Sequence, residues 1–241
     1  MNEPSMYHLA TISLVQLDQE LRPINHASAC LVNYREHLFV LTVSHATGNQ
    51  GNWAIEVKYV PGKGVELFQL GAMGFLEGYR IKHNKLKSHK IDFSYKLLSQ
   101  PPAPRYQIMS TTGVILEDEP KYILPSDLTL TPEPSGQYGF WGCTRQSFDS
   151  HNLVITPKLE GGMTYQKTEG DMFFFKTSHP YKSYKEYRGC SGAPILTSDG
   201  RLVSLVVEGD KKKTGIYGLD LRIYKCALDV EIDMTSNTKH P

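Results

Sequence analysis

The amino-acid sequence predicts an all-β protein built from antiparallel sheets. Eight short segments are rich in β-branched or aromatic residues and are bounded by Gly, Pro, Asn or Asp, a pattern that is typical of strands. No convincing amphipathic helix separates them, and parallel pairing would need long crossover connections. Because all-β units commonly reach the length of this 241-residue chain, we expect one domain of barrels or sandwiches.

The predicted strands fall into two groups along the chain. Residues 99–104, of sequence SQPPAP, separate the groups, because prolines remove backbone donors and favour an extended connection over the surface. We therefore predict a single domain with two lobes, residues 1–100 and residues 101–241. The predicted strands are residues 9–17, 29–33, 38–43, 53–60, 66–68, 93–98, 172–177 and 202–208.

The charge pattern argues against nucleic acid and anionic membranes as partners. The chain has 26 basic and 25 acidic residues, a formal charge of +1, and neither sign forms a long block. Binding to polyphosphates or to anionic lipid rests on many basic side chains acting together. The one basic run, the three lysines at residues 211–213, is interpreted as a solvated hairpin turn.

Apolar stretches are short throughout the sequence. The longest unbroken runs have four residues, such as residues 38–41, whereas a helix that spans a bilayer needs roughly 20. Residues 1–17 lack the basic start, the apolar run and the cleavage site of a secretory signal. We therefore expect a cytoplasmic protein.

The four cysteines are isolated from one another in sequence. Cys30, Cys143, Cys190 and Cys226 form no CxxC pair and show no Cys/His spacing that is typical of a metal site. We expect free thiols, which suit a reducing compartment, and no metal.

A glycine-flanked serine carries the strongest chemical signal. Residues 188–194 read RGCSGAP, which places Ser191 in a tight turn before a predicted strand. An acyl-transfer nucleophile needs such exposure, together with backbone N–H groups aimed at the developing oxyanion. Those of Gly189 and Ser191 are the candidates, because a side chain at the flanking glycines would obstruct the approach.

A serine nucleophile also needs a general base and a carboxylate that orients the base. Among the nine histidines, His45 stands at the end of an apolar strand, which would hold its imidazole rigidly. Asp92 stands directly before an alternating strand. In isolation it is interpreted as a turn former, and only its combination with the histidine and the serine favours catalysis.

The three motifs together resemble those of the trypsin/chymotrypsin superfamily of serine peptidases. TVSHA around His45 is similar to the histidine motif TAAHC, IDFSYKLL around Asp92 to the aspartate motif, and GCSGAP around Ser191 to the serine motif. They occur in the family's order, and the interval of 47 residues from His45 to Asp92 is close to the family's spacing. An intracellular member of prokaryotic type fits best.

The resemblance implies fold and function together. It implies two six-stranded antiparallel barrels with a catalytic cleft between them. His45 would be the general base, Asp92 its partner and Ser191 the nucleophile of an endopeptidase that cleaves proteins or peptides without metal or cofactor. A regulatory protein partner is a further expectation.

Substrate-binding positions are also carried over from the resemblance. Residues 201–208 resemble the strand beside the primary pocket, or they form a plain core strand. Ser204 would lie beside the Asp–His pair, and the edge from Val206 through Val207 to Glu208 would pair with an extended peptide. Lys185 would lie at the base of the pocket, where its charge favours acidic side chains, although the aromatic residues around it favour apolar ones.

Two departures from the family pattern concern cysteines. Cys190 replaces the aspartate that pairs with a newly cut N-terminus in secreted members, so we expect a site that is formed without cleavage or is ordered by a partner. Cys30 lies 15 residues before His45, but Ala46 replaces its usual disulfide partner. Cys190 is also a rival nucleophile, although Ser191 alone has the family's register.

Two other functions remain as alternatives. The first is a catalytically weak or inactive module that binds peptides or a partner protein through the same cleft. The second is an esterase, because acyl transfer to an ester is the same reaction on an easier bond. A nucleophile elbow would need G-x-S-x-G before a helix, whereas Pro194 and a strand follow Ser191.

Overall fold

Strands dominate the computed structural model, which describes residues 5–48, 51–82, 85–109, 114–149 and 152–237. The strands before the proline-rich segment are β1 (Ile12–Leu17), β2 (Pro23–Tyr34), β3 (His37–Thr42), β4 (Asn52–Val60), β5 (Gly64–Gly71), β6 (Gly74–Lys82) and β7 (Lys85–Leu97). Those after it are β8 (Arg105–Met109), β9 (Ile115–Pro120), β10 (Ile123–Pro125), β11 (Gln137–Asp149), β12 (Asn152–Glu169), β13 (Met172–Lys176), β14 (Pro194–Thr197), β15 (Leu202–Gly209) and β16 (Gly215–Leu219).

The first lobe is one sheet that runs in the order β5-β4-β1-β2-β3-β7-β6. A tight hairpin joins β2 to β3, since Arg35 and Glu36 both have positive φ, 49° and 64°, as the favoured two-residue turn requires. β10 adds an eighth strand, parallel to β2, because the chain returns along β2 after the β8–β9 hairpin. The first lobe therefore differs from the expected six purely antiparallel strands.

The second lobe is a closed barrel of six antiparallel strands in the order β11-β12-β13-β16-β15-β14. Closure leaves no strand edge unpaired around the barrel. This lobe has the strand number and the pairing that the sequence resemblance implied, and the all-β prediction is confirmed.

The three largest of four clusters of buried apolar residues, counted over the described residues, fill most of the lobes. One lies within the first sheet around Trp53, and one lies inside the barrel around Phe140. The third joins the lobes and includes Phe93, which stacks on Tyr224 with ring centroids 5.0 Å apart. Phe93 follows Asp92 directly, so the core between the lobes anchors the strand that carries this carboxylate.

Helical segments are few and short. They are α1 (Met6–Ala10), α2 (Ser44–Thr47), α3 (Lys225–Asn237) and two 3₁₀ turns, Tyr184–Tyr187 and Leu221–Tyr224. The sequence prediction was wrong at residues 9–10, which are helical, and it missed α3. Within the described part of the chain, no helix is long and apolar enough to cross a membrane.

Candidate active site

His45 lies in a single helical turn that follows β3. The turn begins after the fully buried Val43 and ends at Gly48, whose φ of 67° and N–H bond to Ser44 O close it. The apolar residues before the turn fix its backbone in the core, while the imidazole is about half exposed. The backbone of His45 is therefore fixed by the core, while its imidazole is accessible to solvent.

Asp92 holds the backbone and the ring of His45 at the same time. His45 Nδ1 lies 2.7 Å from Asp92 Oδ2, and the His45 backbone N–H donates to Oδ1 at 2.8 Å. The hydroxyl of Ser44 adds a longer bond to Oδ1, at 3.3 Å. Because an ionised carboxylate only accepts, Nδ1 carries the proton and Nε2 is left as an acceptor toward the cleft.

The pKa of Asp92 reflects two opposing effects. Partial burial raises the pKa of this carboxyl, but the hydrogen bonds and charge of His45, with the bond from Ser44, outweigh burial. The net result is a pKa below the ordinary value of an aspartate. Asp92 is therefore ionised at neutral pH, as an orienting carboxylate must be.

Ser191 lies in the loop between the second-lobe 3₁₀ turn and β14, held against the first lobe by its neighbour Gly192. Gly192 has φ +88°, and a Cβ there would overlap Thr42 Oγ1 and Ser28 O of the first lobe. Only glycine permits this approach. The Ser191 side chain is partly buried, and its hydroxyl donates to Val207 O at 3.1 Å.

His45 and Ser191 line the same cleft, which has a volume of about 420 Å³. The structure therefore brings all three sequence-predicted residues to one site, with Asp92 behind the imidazole. Among the described residues, Ser191 Oγ bonds to Val207 O and not to the ring of His45. A larger cavity of about 670 Å³ lies between the β2–β3 hairpin and α3, but Nδ1 of its histidine, His37, bonds to Arg35 O and not to a described carboxylate.

The amides of Gly189 and Ser191 are available as donors. Within the described residues neither N–H has an acceptor, whereas the intervening Cys190 N–H bonds to Tyr187 O at 2.9 Å and Gly192 N–H to Val206 O at 2.8 Å. Gly189 has φ 96°, a conformation that suits glycine. The free amides of Gly189 and Ser191 therefore lie on either side of Cys190, at the edge of the cleft.

Ser28 of β2 was not identified from the sequence, although it fixes this loop at two points. Its hydroxyl donates to Gly189 O at 2.8 Å and accepts from Cys143 N–H at 3.1 Å, and its own N–H donates to Ser191 O at 3.2 Å. Ser28 is fully buried between the lobes. No local motif marks it, because its partners lie more than 100 residues away.

Cys190 faces the interior of the second lobe. It is fully buried, and a Cβ on Gly142 would lie 2.6 Å from its Sγ. Burial raises the pKa of this thiol far above the ordinary range, so it stays neutral. A buried neutral thiol is a poor nucleophile, which argues against Cys190 as the rival of Ser191.

The predicted substrate-binding residues have three different outcomes. Val206, Val207 and Glu208 line the cleft, and their role in substrate binding stays a prediction. Ser204 needs correction: it is fully buried in the barrel, where its hydroxyl donates to Leu219 O at 2.8 Å, so it lies neither beside the Asp–His pair nor in the cleft. Lys185 belongs to the 3₁₀ turn Tyr184–Tyr187, and its side chain lies outside the described residues.

Tyrosines and charged residues complete the walls of the cleft. Tyr187 lines it, and its buried hydroxyl bonds to Glu160 Oε2 at 2.7 Å, a partner that the sequence analysis missed. Tyr181 packs on Tyr187 with centroids 4.8 Å apart and donates to Asp210 O at 2.8 Å. The other charged residues around the cleft are Arg188, Glu208, Asp210, Lys211 and Lys213.

The comparisons with solved structures identify the fold. No protein-family model and no curated protein sequence matches the chain. Mouse neuropsin, a serine protease of the limbic system, is 14% identical with a TM-score of 0.57, covering 94% of this chain and 96% of its own. Human heparin binding protein is 13% identical with a TM-score of 0.58, covering 95% and 93%. The chain therefore has the two-lobed fold of trypsin- and chymotrypsin-like serine proteases.

Proposed function

We propose that this protein is a serine endopeptidase with His45, Asp92 and Ser191 as its catalytic triad. The observation that carries the proposal is the His45–Asp92 pair, which faces the same cleft as a serine in a glycine-flanked turn. A carboxylate on Nδ1 leaves Nε2 able to accept a proton, and a serine hydroxyl needs such a base. The fold alone would not require these three side chains to meet.

The proposed reaction begins when the Ser191 hydroxyl turns from Val207 O toward His45 Nε2. His45 takes the hydroxyl proton while Oγ bonds to the peptide carbonyl carbon. The carbonyl oxygen becomes negative and accepts from the N–H groups of Gly189 and Ser191. His45 then gives its proton to the leaving amine, and water repeats the sequence to release the acyl group and restore the serine.

The peptide substrate would lie extended along the cleft wall. Val206, Val207 and Glu208 form the strand segment that lines the cleft, and a peptide backbone would pair along it. A metal or cofactor has no role in this chemistry. Lys185 remains a proposed specificity residue at the pocket base.

Free buried thiols support a cytoplasmic location as part of the same proposal. Cys30, Cys143 and Cys190 are buried and unpaired, a state that reducing conditions maintain. A protease in that compartment needs restraint, which we attribute to narrow specificity or a regulatory protein partner.

An inactive peptide-binding module is the second candidate, and one observation favours it. The Ser191 hydroxyl bonds to Val207 O instead of the imidazole. If this arrangement persisted when a peptide was bound, the cleft would recognise chains without cleaving them. The two candidates differ only in whether the hydroxyl reaches Nε2.

Labelling with a fluorophosphonate probe separates the candidates, because the probe reacts only with an activated serine. We expect labelling of the natural protein and of Cys190→Ala, and none of Ser191→Ala or His45→Ala. Cleavage of a peptide library would then define the sequence preference. Labelling that is absent from the natural protein, or that persists in Ser191→Ala, contradicts the proposal.

A further inference from the structure

The hairpin of β6 and β7 extends beyond the first sheet as an arm, which we define as residues 78–82 and 85–90. β3 pairs with β7 only from Ser94 onward, so the arm has two strands alone. Its ladder ends at the pair of Lys82 with Lys85. At about 3.4 Å per residue, the five steps along the strand from Lys90 back to Lys85 span roughly 17 Å. The arm is long enough to contact several residues of a bound chain.

The arm concentrates positive charge. It contains five basic and no acidic residues, while the whole chain has a formal charge of +1, so the remainder of the chain is net negative by four. The sequence analysis overlooked this feature because apolar and polar residues separate the cations and no run of like charge appears. The five are Arg80, Lys82, Lys85, Lys87 and Lys90.

One face of the arm is apolar and exposed to solvent. Ile81 pairs directly with Leu86 across the ladder, and Tyr79 lies two residues before Ile81, so all three side chains share a face. Their exposed fractions are 64% for Tyr79, 77% for Ile81 and 69% for Leu86. Large apolar side chains clustered at such exposure mark an interaction surface.

The base of the arm reaches the candidate active site. Lys90 Nζ donates to Ser44 O, in the turn that carries His45, at 3.3 Å. Asp92 follows two residues later on the same strand. A chain in the cleft therefore passes close to the arm.

We propose that the arm is an accessory binding site for an acidic polypeptide segment in which apolar residues alternate with carboxylates. Such a segment, added in extended form along the edge of the arm, presents its apolar side chains on the face of Ile81 and Leu86 and its carboxylates on the opposite face, where the ladder places residues 80, 82, 85 and 87. If the protein is the proposed peptidase, the arm should make it prefer substrates with an acidic stretch several residues from the cleaved bond; this consequence rests on the proposed function.

The observations favour a polypeptide over other anionic partners. Nucleic acid is a poorer match, since single-strand binding stacks successive bases on several aromatic side chains, whereas Tyr79 stands here beside the aliphatic pair Ile81–Leu86. Membrane surfaces attract basic segments, but the contact of Lys90 with the His45 turn ties the arm to the cleft, where the bound ligand is a chain. The contact of Lys90 with the His45 turn therefore places the basic residues of the arm beside a cleft that would bind a polypeptide.

The test measures peptide binding to the full chain carrying Ser191→Ala, which separates binding from cleavage. The probe is a fluorescein-labelled 12-residue peptide of alternating Glu and Val, and a Ser/Val peptide is the uncharged comparison. We expect the acidic peptide to bind more tightly, with an affinity that falls as salt rises. Lys85→Glu with Lys87→Glu should weaken it roughly tenfold or more, and Ile81→Ser with Leu86→Ser should weaken both peptides.

A matched control lies in the β4–β5 hairpin, at the other end of the strand order, where Lys63→Glu and Val65→Ser change an exposed lysine and an exposed valine outside the arm. These changes should leave affinity unchanged, and circular dichroism should show all variants folded. Equal affinity in the arm and control variants, including no binding at all, overturns the proposal. So does arm-dependent binding to phosphatidylserine vesicles or to oligo-dT without arm-dependent peptide binding. Arm variants that keep Ser191 should be labelled by the fluorophosphonate probe to the same extent as the natural protein. This measurement distinguishes a failure of the proposed peptidase function from a failure of the proposed binding site.

Discussion

The hydroxyl of Ser28 in the first lobe donates a hydrogen bond of 2.8 Å to the carbonyl of Gly189 in the second. The same oxygen accepts from Cys143 N–H, so hydrogen bonds connect β11, through Ser28 of β2, to the loop that carries Ser191. Secreted members of the superfamily that the sequence resembles have an aspartate before the serine that pairs with the cut N-terminus, whereas Cys190 at this position is neutral and buried. Ser28 supplies a contact between lobes that holds the Gly189 peptide in place without a charge.

Replacing Ser28 by alanine should lower kcat more than it changes KM. The change leaves Gly189 O and Cys143 N–H without their partner, so the oxyanion donors lose their fixed orientation. We expect kcat to fall roughly 10²-fold, in the range for loss of an oxyanion donor, with about 1–3 kcal/mol of lost stability. Steady-state kinetics and urea unfolding measure the two effects.

Thr11→Ala is the matched control for Ser28→Ala. Thr11 is also fully buried, and its hydroxyl donates to Trp141 O of the second lobe at 2.7 Å, away from the loop that carries Ser191. This variant should lose similar stability and keep its kcat. Equal kcat losses in both variants would show that Ser28 has no specific positioning role.

Asp92→Asn should abolish most of the activity while leaving the cleft in place. An amide cannot accept from His45 Nδ1 with the same charge, and its NH₂ group favours the wrong tautomer of the imidazole. Loss of the carboxylate costs roughly 10⁴-fold in kcat in enzymes with this triad. A fall of less than tenfold in kcat would contradict the assignment of Asp92.

The stability that Asp92 provides should depend on pH in one direction. Its folded pKa lies below the ordinary value, so the contribution is complete above the unfolded pKa of about 3.9 and is lost as pH falls through the lower folded value. The difference in Tm between the natural protein and Asp92→Asn should stay constant from pH 7 to about 5 and shrink below about 4. A difference that disappears already at pH 6 would show that another group is responsible.

Gly192→Ala should destabilise the fold and remove activity. The added Cβ would overlap Thr42 Oγ1 and Ser28 O, and the φ of +88° is strained for any side chain. Gly170→Ala is the control, since it has φ +63° and no neighbour within 4 Å of a new Cβ. The control should lose about 1–2 kcal/mol, and Gly192→Ala clearly more, by urea unfolding; equal losses would refute the close contact.

Lys121 should make the protein more stable as the solution becomes alkaline. Burial lowers the pKa of Lys121 to about 8, although its ammonium donates to His8 O and lies 4.9 Å from the Trp141 ring. The unfolded chain holds this proton up to about pH 10.4, so between these values unfolding takes up a proton and stability rises with pH. The Tm of the natural protein relative to Lys121→Met should therefore rise from pH 8 to 10, and a flat difference would contradict burial of the charge.

Strands with a strong local pattern were predictable from the sequence, and irregular ones were not. All eight predicted segments contain strands, but β11 and β12 were missed, because two register shifts in their ladder interrupt the two-residue alternation. α3 was missed because its apolar residues lie on two faces: Leu228 and Ile232 are buried, whereas Val230 and Met234 are exposed. Such a helix shows no clear stripe in sequence.

The candidate site was predictable where a motif is local. His45, Asp92 and Ser191 each lie in a short recognisable segment, whereas Ser28 acts through partners that are 161 and 115 residues away. Ser204 was misplaced because a bulge beside Val207 shifts the register of β15, so a serine three residues earlier faces the barrel core. Contacts between distant segments need the fold before they can be seen.

Because Ser28 of the first lobe bonds to the loop that carries Ser191, the order of that loop in the second lobe depends on a folded first lobe. A chain whose first sheet has opened would also release the loop around Ser191, even with its barrel intact. Damaged or half-assembled copies would therefore lack an ordered Ser191 loop, and the proposed activity would be confined to fully folded molecules.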